Sequence, residues 1–338
     1  MTIRVGINGF GTIGKRVADA IGLQPDMTLV GIVKTKPDYK ARIAIDKGYS
    51  IFAPSEKEIA NFEKAGLKVS GTIGDMLKKV DVITDATPAD VGKAYKPSYV
   101  KAEVKGVFQG GEEPDVADLS FVAQCNFDKA EGRHYLRAVS CNTTGLCRTL
   151  NALDEHFGVK KACATIIRRA TDPDDVKRGP INAIVPDPTK VPSHHGPDVN
   201  TVLPHIPITT MAVKVPTTFM HVHTVSATLR NRASQDDVIE VFEHTTRVIL
   251  VTGTDGIHST AQLFDYARDL GRPREDLYEI CVWRESVSVI EDEVYFMQAV
   301  DQEADVVPEN IDAVRAITGL ATAEKSMKTT NDSLRIIK

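Results

Sequence analysis

The chain lacks the features that mark several protein classes. No apolar run reaches the ~18 residues a membrane-spanning helix needs, so such a helix is excluded. Charge of one sign is also missing: 41 Lys and Arg stand against 46 Asp and Glu, a net charge of −5. That argues against a basic nucleic-acid binder and leaves no polycationic patch for a membrane surface. Cysteine is scarce and odd in number, with five in 338 residues. A disulfide scaffold is therefore disfavoured, and a reducing cytoplasm suits the count. Repeats, low-complexity tracts and flexible linkers are absent. Met1-Thr2-Ile3-Arg4-Val5-Gly6 enters a strand pattern directly, which leaves no room for a signal peptide. What remains is an ordinary soluble composition, 42% hydrophobic and 26% charged. At about 150 residues per domain, the length implies two domains.

Periodicity organises the first part. Ile3–Ile7 reads as a buried strand, Lys15–Leu23 as a helix and Met27–Val33 as a second strand. Asp81–Asp85 and Lys105–Gln109 are further strands, with helices at Glu56–Ala65 and Ile73–Lys79. Alternating strands and helices imply a parallel sheet covered on both faces. Near Ser140 the texture changes to longer strands: Ala162–Arg169, Thr209–Val215, His221–Arg230, Val248–Leu250, Val282–Val289 and Glu293–Ala299. These imply a mixed or antiparallel sheet. Pro180 to Pro207 marks one long irregular stretch, and Asn310–Gly319 reads as a late helix that packs back on the first domain.

The first strand runs into Gly9-Phe10-Gly11-Thr12-Ile13-Gly14, a G-x-G-x-x-G loop opening a strand–helix–strand unit. Gly9 makes the turn, Gly11 lets backbone approach a pyrophosphate, and Gly14 lets helix and strand pack. Thr12 and Ile13 open the helix, whose N–H groups face the phosphates. The fold class is thus α/β, a doubly wound Rossmann dinucleotide-binding domain followed by an α+β catalytic domain. An acid usually ends the second strand in NAD enzymes. Here the sequence is Val33-Lys34-Thr35-Lys36, with no acid before Asp38. A cation and a hydroxyl suit a 2′-phosphate, so NADP is favoured over NAD. Gly110-Gly111 follows another strand end, on the ligand side of such a sheet.

Ser140-Cys141-Asn142-Thr143-Thr144-Gly145 precedes a helix pattern over Leu146–Phe157. Cys141 therefore lies at a helix N-terminus, where the dipole lowers a thiol pKa and nearby N–H groups hold an oxyanion. Cys163 and Cys281 lie in apolar strands and read as core, Cys147 as buried in the helix, and Cys125 as a loop residue without a partner. His221 and His223 share a strand face, and spacing alone does not choose a base between them. Arg168-Arg169 ends a strand where guanidinium forks suit phosphate, the two facing different neighbours. His194 and His195, beside Gly196, are placed like an anion clamp, and no Cys, Asp or Glu cluster at metal-ligand spacing accompanies them.

The loop Asn8–Arg16, the segment Ser140–Arg148, Pro192–Asp198, Pro216–His223 and Trp283–Ser286 resemble archaeal-type glyceraldehyde-3-phosphate dehydrogenase over essentially the whole chain. The order Cys141-Asn142-Thr143-Thr144 departs from the Thr-Thr-Asn of the common bacterial and eukaryotic form, and no histidine falls between His156 and His194. The resemblance implies phosphorylating oxidation of glyceraldehyde 3-phosphate by way of a thiohemiacetal and thioester on Cys141, with inorganic phosphate as second substrate. It implies His221 as the base that takes the hydroxyl proton, and Ser140, Asn142, Thr143, Thr144, Arg168, His194, His195 and Gly196 around substrate and phosphate. It puts Arg169, Gly111 and Gln302 at the cofactor. It further implies a cytoplasmic homotetramer of central sugar metabolism, with residues 1–139 binding NAD(P), 140–302 catalytic and 303–338 returning to the first domain. Another cysteine-dependent semialdehyde dehydrogenase, or a nucleotide-binding redox sensor, shares the loop and the cysteine and is separated by turnover.

Overall fold

The computed structural model describes residues 2–171 and 179–337. Two units divide the chain: one comprises everything up to Val139 with Val307–Arg335, the other Ser140–Val306 with the last residues from Ile336. The second unit thus runs past the expected boundary at 302. Asp305 belongs to it because its carbonyl accepts Arg148 Nη2 at 2.8 Å, and Ile337 because its N–H donates to Glu279 Oε1 at 2.6 Å.

In the first unit, β1 (Ile3–Asn8) is buried at all but one position and leads to α1 (Thr12–Gly22). The helix begins inside the glycine motif, three residues before the expected Lys15. There follow β2 (Met27–Val33), α2 (Tyr39–Asp46), β3 (Ile51–Phe52), α3 (Glu56–Lys64), α4 (Ile73–Leu77) and β4 (Val82–Asp85). Then come α5 (Val91–Lys101), β5 (Lys105–Phe108), β6 (Leu119–Phe121), α6 (Ala123–Asn126) and β7 (Tyr135–Ala138). The sheet order is β3-β2-β1-β4-β5-β7-β6, and every pair is parallel. Asn8, the last residue of β1, lies beside Val33 on one side and Asp85 on the other. The chain reverses its direction of winding there, and the flanking loops part to leave a crevice. The glycine loop begins at that point.

The second unit opens with α7 (Cys141–Phe157), β8 (Val159–Arg169), β9 (Val185–Pro186), α8 (His195–Asn200), β10 (Ile208–Val215) and β11 (His221–Leu229). It continues through α9 (Gln235–His244), β12 (Val248–Val251), α10 (Thr260–Asp269), β13 (Ile280–Trp283), β14 (Ser288–Ile290) and β15 (Glu293–Val300). The sheet path is β12-β13-β15-β11-β8-β10-β9, with β14 on β15. It is mixed: β8–β10 and β12–β13 are parallel, the other pairs antiparallel. Helix α7 lies close on this sheet, because a Cβ on Gly145 would stand 2.7 Å from Val300 Cγ2.

Two expected elements are corrected. Val282–Val289 is not one strand; a 3-10 turn at Arg284–Ser286 separates β13 from β14. Ser286 causes the break, its Oγ donating to Trp283 O at 2.6 Å and accepting Met297 N–H at 2.8 Å. The stretch from Pro180 to Pro207 is not wholly irregular, since it contains β9 and α8.

The last helices, α11 (Val307–Thr318) and α12 (Ala323–Leu334), belong to the first unit. Arg315 of α11 is fully buried and takes Asp26 bidentately, Nε and Nη2 each at 2.8 Å, while Nη1 donates to Thr330 Oγ1 at 2.7 Å. Such a buried charge is tolerable because its donors are satisfied. Among the described residues no helix is long and apolar enough to cross a membrane.

Candidate active site

The glycine loop divides into positions the fold needs and one it does not. Gly9 has φ +93°, and a Cβ there would lie 2.8 Å from the Ala86 carbonyl. At Gly14 a Cβ would come within 1.9 Å of Gly9 O. At Gly11 a Cβ would meet nothing within 4 Å. The second glycine thus faces open space, the condition for close approach of a ligand to backbone. Helix α1 has no side-chain cap and no acid in its first turn, conditions that suit an anion at a helix N-terminus. Gly111 takes a left-handed φ of +80°, and the close approach is at Gly110, whose Cβ would stand 1.7 Å from Thr87 O.

Lys34 is not the uncommitted cation the sequence implied. Its Nζ donates to Asp38 Oδ2 at 2.6 Å, and Asp38 also caps α2 by accepting Ala41 N–H at 3.1 Å. Desolvation opposes the Asp38 charge, but Lys34 and the capping N–H groups hold its carboxyl below the ordinary value. Thr35, beside them, is exposed.

In the second unit Ser140 is the N-cap of α7, its Oγ accepting Thr143 N–H at 3.4 Å, and Cys141 is the first helical residue. The expected low thiol pKa is corrected. Burial pushes the Cys141 thiol up to about 12 and the Asp305 carboxylate adds to the rise. Arg169, Arg168 and a hydrogen bond from the Asn142 N–H oppose it without cancelling it. Desolvation acts on the full charge of a thiolate, whereas a helix terminus supplies only about half a charge. Cys147 and Cys281 are buried as expected, but Cys163 is half-buried, because its strand position turns toward the open sheet face. Cys125 lies in α6 and has a partner.

The two strand histidines enter at the start of β11, where Met220 takes a left-handed φ of +51°. His221 Nδ1 accepts the Arg169 backbone N–H at 3.0 Å. The neutral ring therefore carries its hydrogen on Nε2. Burial, then Arg169, Arg168, His223 and His195, hold its pKa well below the ordinary imidazole value. In this tautomer the one lone pair is committed to backbone, and Nε2–H is left as a hydrogen-bond donor. His223 is buried between Gln298 and Asn142: Gln298 Nε2 donates to its Nδ1 at 3.0 Å, and its Nε2 donates to Asn142 Oδ1 at 2.8 Å. Burial lowers its pKa to about 3.

Most expected anion ligands already have partners. Thr143 Oγ1 donates to Asp198 Oδ2 at 2.6 Å and the Gly196 N–H donates to Thr210 Oγ1 at 2.8 Å. Arg168 is paired with Asp187, which also takes Lys214 at 3.2 Å. His195 is buried, its Nδ1 donates to Ser193 Oγ at 3.1 Å, and burial with the charges of His194 and Arg168 lowers its pKa to about 2. It is neutral, so it is no cationic clamp; its neighbour His194 lies against it with ring centroids 3.9 Å apart and is exposed. Among the described residues, Thr144 Oγ1 and Gln302 Oε1 are buried with no hydrogen-bond partner. Gln302 Nε2 is held by Thr218 O at 3.3 Å, which leaves its carbonyl oxygen as an acceptor for a ligand. Asp187, Asp198, Asp305 and Gln298 carry no local sequence signal; Gln298 reaches His223 only through the pairing of β11 with β15.

Comparison with known proteins identifies relatives along the whole chain. Residues 140–286 match the model of the glyceraldehyde 3-phosphate dehydrogenase C-terminal domain, and residues 3–112 match that of the dihydrodipicolinate reductase N-terminus. The glyceraldehyde-3-phosphate dehydrogenase of Pyrococcus abyssi is 56% identical over the full length of both chains. That of Hyperthermus butylicus is 54% identical over 99% of this chain and 98% of its own. The enzyme of that name from Methanothermus fervidus is 51% identical over 99% of each. With this identity carried from the glycine loop through the cysteine helix to the last helices, the chain belongs to the glyceraldehyde-3-phosphate dehydrogenase family.

Proposed function

We propose that this chain oxidises glyceraldehyde 3-phosphate with inorganic phosphate to 1,3-bisphosphoglycerate, using a nicotinamide dinucleotide. The observation that carries this reading is Cys141 at the first turn of α7, with Arg168 and Arg169 acting on its charge. The thiol gives its proton to solvent water, and sulfur forms a bond to the aldehyde carbon as the carbonyl π bond opens. The oxygen becomes an alkoxide, which the His221 Nε2–H and the N–H groups of the α7 turn stabilise. When bound, the nicotinamide supplies the acceptor for the hydride that leaves this carbon. The thioester stays on Cys141 until a phosphate oxygen attacks it, the C–S bond breaks and sulfur leaves as thiolate. Splitting the oxidation in two is the gain from a covalent intermediate.

The unliganded site holds its anion ligands with its own carboxylates. An incoming phosphate competes with Asp187 for Arg168 and with Asp198 for Thr143, while His194, His195, Gly196, Ser140 and Thr144 line the same region. Gly9, Gly11, Thr12, Ile13, Gly14 and Gly111 serve the dinucleotide phosphates. An assay of reduced-nucleotide formation with glyceraldehyde 3-phosphate, with and without phosphate, tests the whole reading. Steady turnover that needs phosphate or arsenate is expected; turnover indifferent to both overturns the phosphorylating assignment.

NADP is the favoured nucleotide, with Lys34 and Thr35 at the 2′-phosphate. Asp38 limits that preference, since it neutralises Lys34 until a phosphate takes its place. Lys34→Ala is expected to lower the NADP/NAD ratio of kcat/KM about tenfold, the worth of one charge-assisted hydrogen bond. An unchanged ratio assigns the preference elsewhere.

The chain works as a homotetramer in the cytoplasm. All five cysteines are free thiols, as a reducing compartment requires. Met297, Thr224, Thr165 and Met211 are aligned across β15, β11, β8 and β10 on the outward face of the sheet, with both methionines more than 40% exposed. A sheet face with two exposed methionines suits a second copy of the chain.

A further inference from the structure

The second strand histidine is the centre of a buried polar chain in the second unit. Thr149 Oγ1, in the third turn of α7, donates to Gln298 Oε1 at 2.9 Å. Gln298 Nε2 then donates to His223 Nδ1, and His223 Nε2 donates to Asn142 Oδ1. Asn142 Nδ2 faces His195 Nε2 at 3.4 Å, and His195 Nδ1 reaches Ser193 Oγ, itself 2.8 Å from Thr210 Oγ1. Thr149, Gln298, His223 and Asn142 are all buried. Asn142 directly follows Cys141 in the first turn of α7.

We propose that Gln298 and His223 are positioning residues that clamp the Asn142 side chain and so fix the first turn of α7, which carries Cys141. The chemistry follows from what each atom can give. An amide N–H on Nδ1 leaves His223 one hydrogen, on Nε2, and that hydrogen goes to Asn142. His223 has no lone pair left for substrate and takes no proton in the reaction. With Gln298 Oε1 toward Thr149, the amide nitrogen faces the ring. The arm spans α7, β15 and β11, so it ties the turn that carries the nucleophile to two central strands. Buried networks in which every member is satisfied are rigid in this way. This role deepens the proposed function and rests on Cys141 as its nucleophile.

The test compares His223→Gln with His223→Leu. Glutamine places an amide nitrogen where Nε2 stands and does not titrate. The readouts are kcat, KM for glyceraldehyde 3-phosphate, and the pH profile of Cys141 alkylation by iodoacetamide, which needs neither substrate nor cofactor. With a Cys141→Ser blank subtracted, His223→Leu is expected to lower kcat and the alkylation rate together by about tenfold and leave KM within about twofold. His223→Gln should stay within about threefold of wild type in both. Thr149→Val, a near-isosteric change, should give a smaller loss in the same two readouts and guards against a variant that fails to fold. Equal loss in His223→Gln and His223→Leu at unchanged melting temperature assigns His223 to proton transfer and overturns the proposal. So does alkylation that none of the three variants alters. Loss of alkylation with no aldehyde turnover in wild type would instead overturn the proposed reaction and keep the arm.

Discussion

Cys141→Ser is expected to lower kcat by about 10⁴-fold or more, with the fold and nucleotide binding retained. Serine is close to isosteric, and Ser140 still caps α7, so the helix terminus stays in place. What disappears is a sulfur that forms a thioester and leaves again. In the absence of phosphate the wild-type chain should release reduced nucleotide in a single burst and then stop, because the thioester has no acceptor but water. The serine variant should show no burst. Cys163→Ser is the control: it lies on the open sheet face, away from the residues that act on the Cys141 charge, and should stay within about twofold of wild type. A burst that survives in Cys141→Ser would falsify the covalent route. The raised thiol pKa adds a second expectation. In the unliganded protein Cys141 alkylation should climb through pH 9 and beyond without a plateau, since thiolate is scarce below about 12. A plateau near pH 7 would show that the helix terminus and the two arginines outweigh burial.

The parts of this design that sequence conveys are those written in local pattern. β1, the glycine loop and β2 were legible because a buried strand, a turn and a second buried strand follow within thirty-odd residues. Cys141 was legible because a capping serine precedes it and a helix follows. Other elements hide their pattern. In α12 the buried positions are Ser326, Thr330 and Leu334, and the first two face Asp312 with hydroxyls, so no apolar stripe marks the helix. Helix α5 contains Gly92 and Pro97, residues that read as breakers, and buries little besides Tyr99. At the site, the charge on each group is set by residues distant in sequence. Gln298 lies 75 positions from His223, and they meet only because β15 pairs with β11 in one register. Asp38, four residues from Lys34, was visible but silent, since nothing in the order of residues says that the two side chains meet. The thiol pKa was misjudged for the same reason: a helix terminus can be read locally, and desolvation cannot.

Acid should unfold this protein before its carboxylates titrate. His195, His221 and His223 are buried and neutral, with folded pKa values of about 2, well below the ordinary value, and about 3. Burial is the first cause for all three; Arg168 and Arg169 add to it at His221, and His194 and Arg168 at His195. In the unfolded chain each titrates near pH 6.5. The sign follows directly. Below pH 6.5 the unfolded state binds protons that the folded state refuses, so stability falls as pH falls, and the loss continues until the folded pKa values are reached. Each histidine contributes about 1.4 kcal/mol per pH unit, or about 4 kcal/mol per unit for three. Between pH 7 and pH 5 the loss is about 6 kcal/mol, a large share of the 5–15 kcal/mol typical of a domain. Urea titrations of the second unit's transition at several pH values measure this slope. His223→Gln, which keeps the bond to Asn142 and does not ionise, should reduce it to about 3 kcal/mol per unit. A slope equal to that of wild type means that His223 is charged in the folded protein, and then neither its place between Gln298 and Asn142 nor its low pKa is as described.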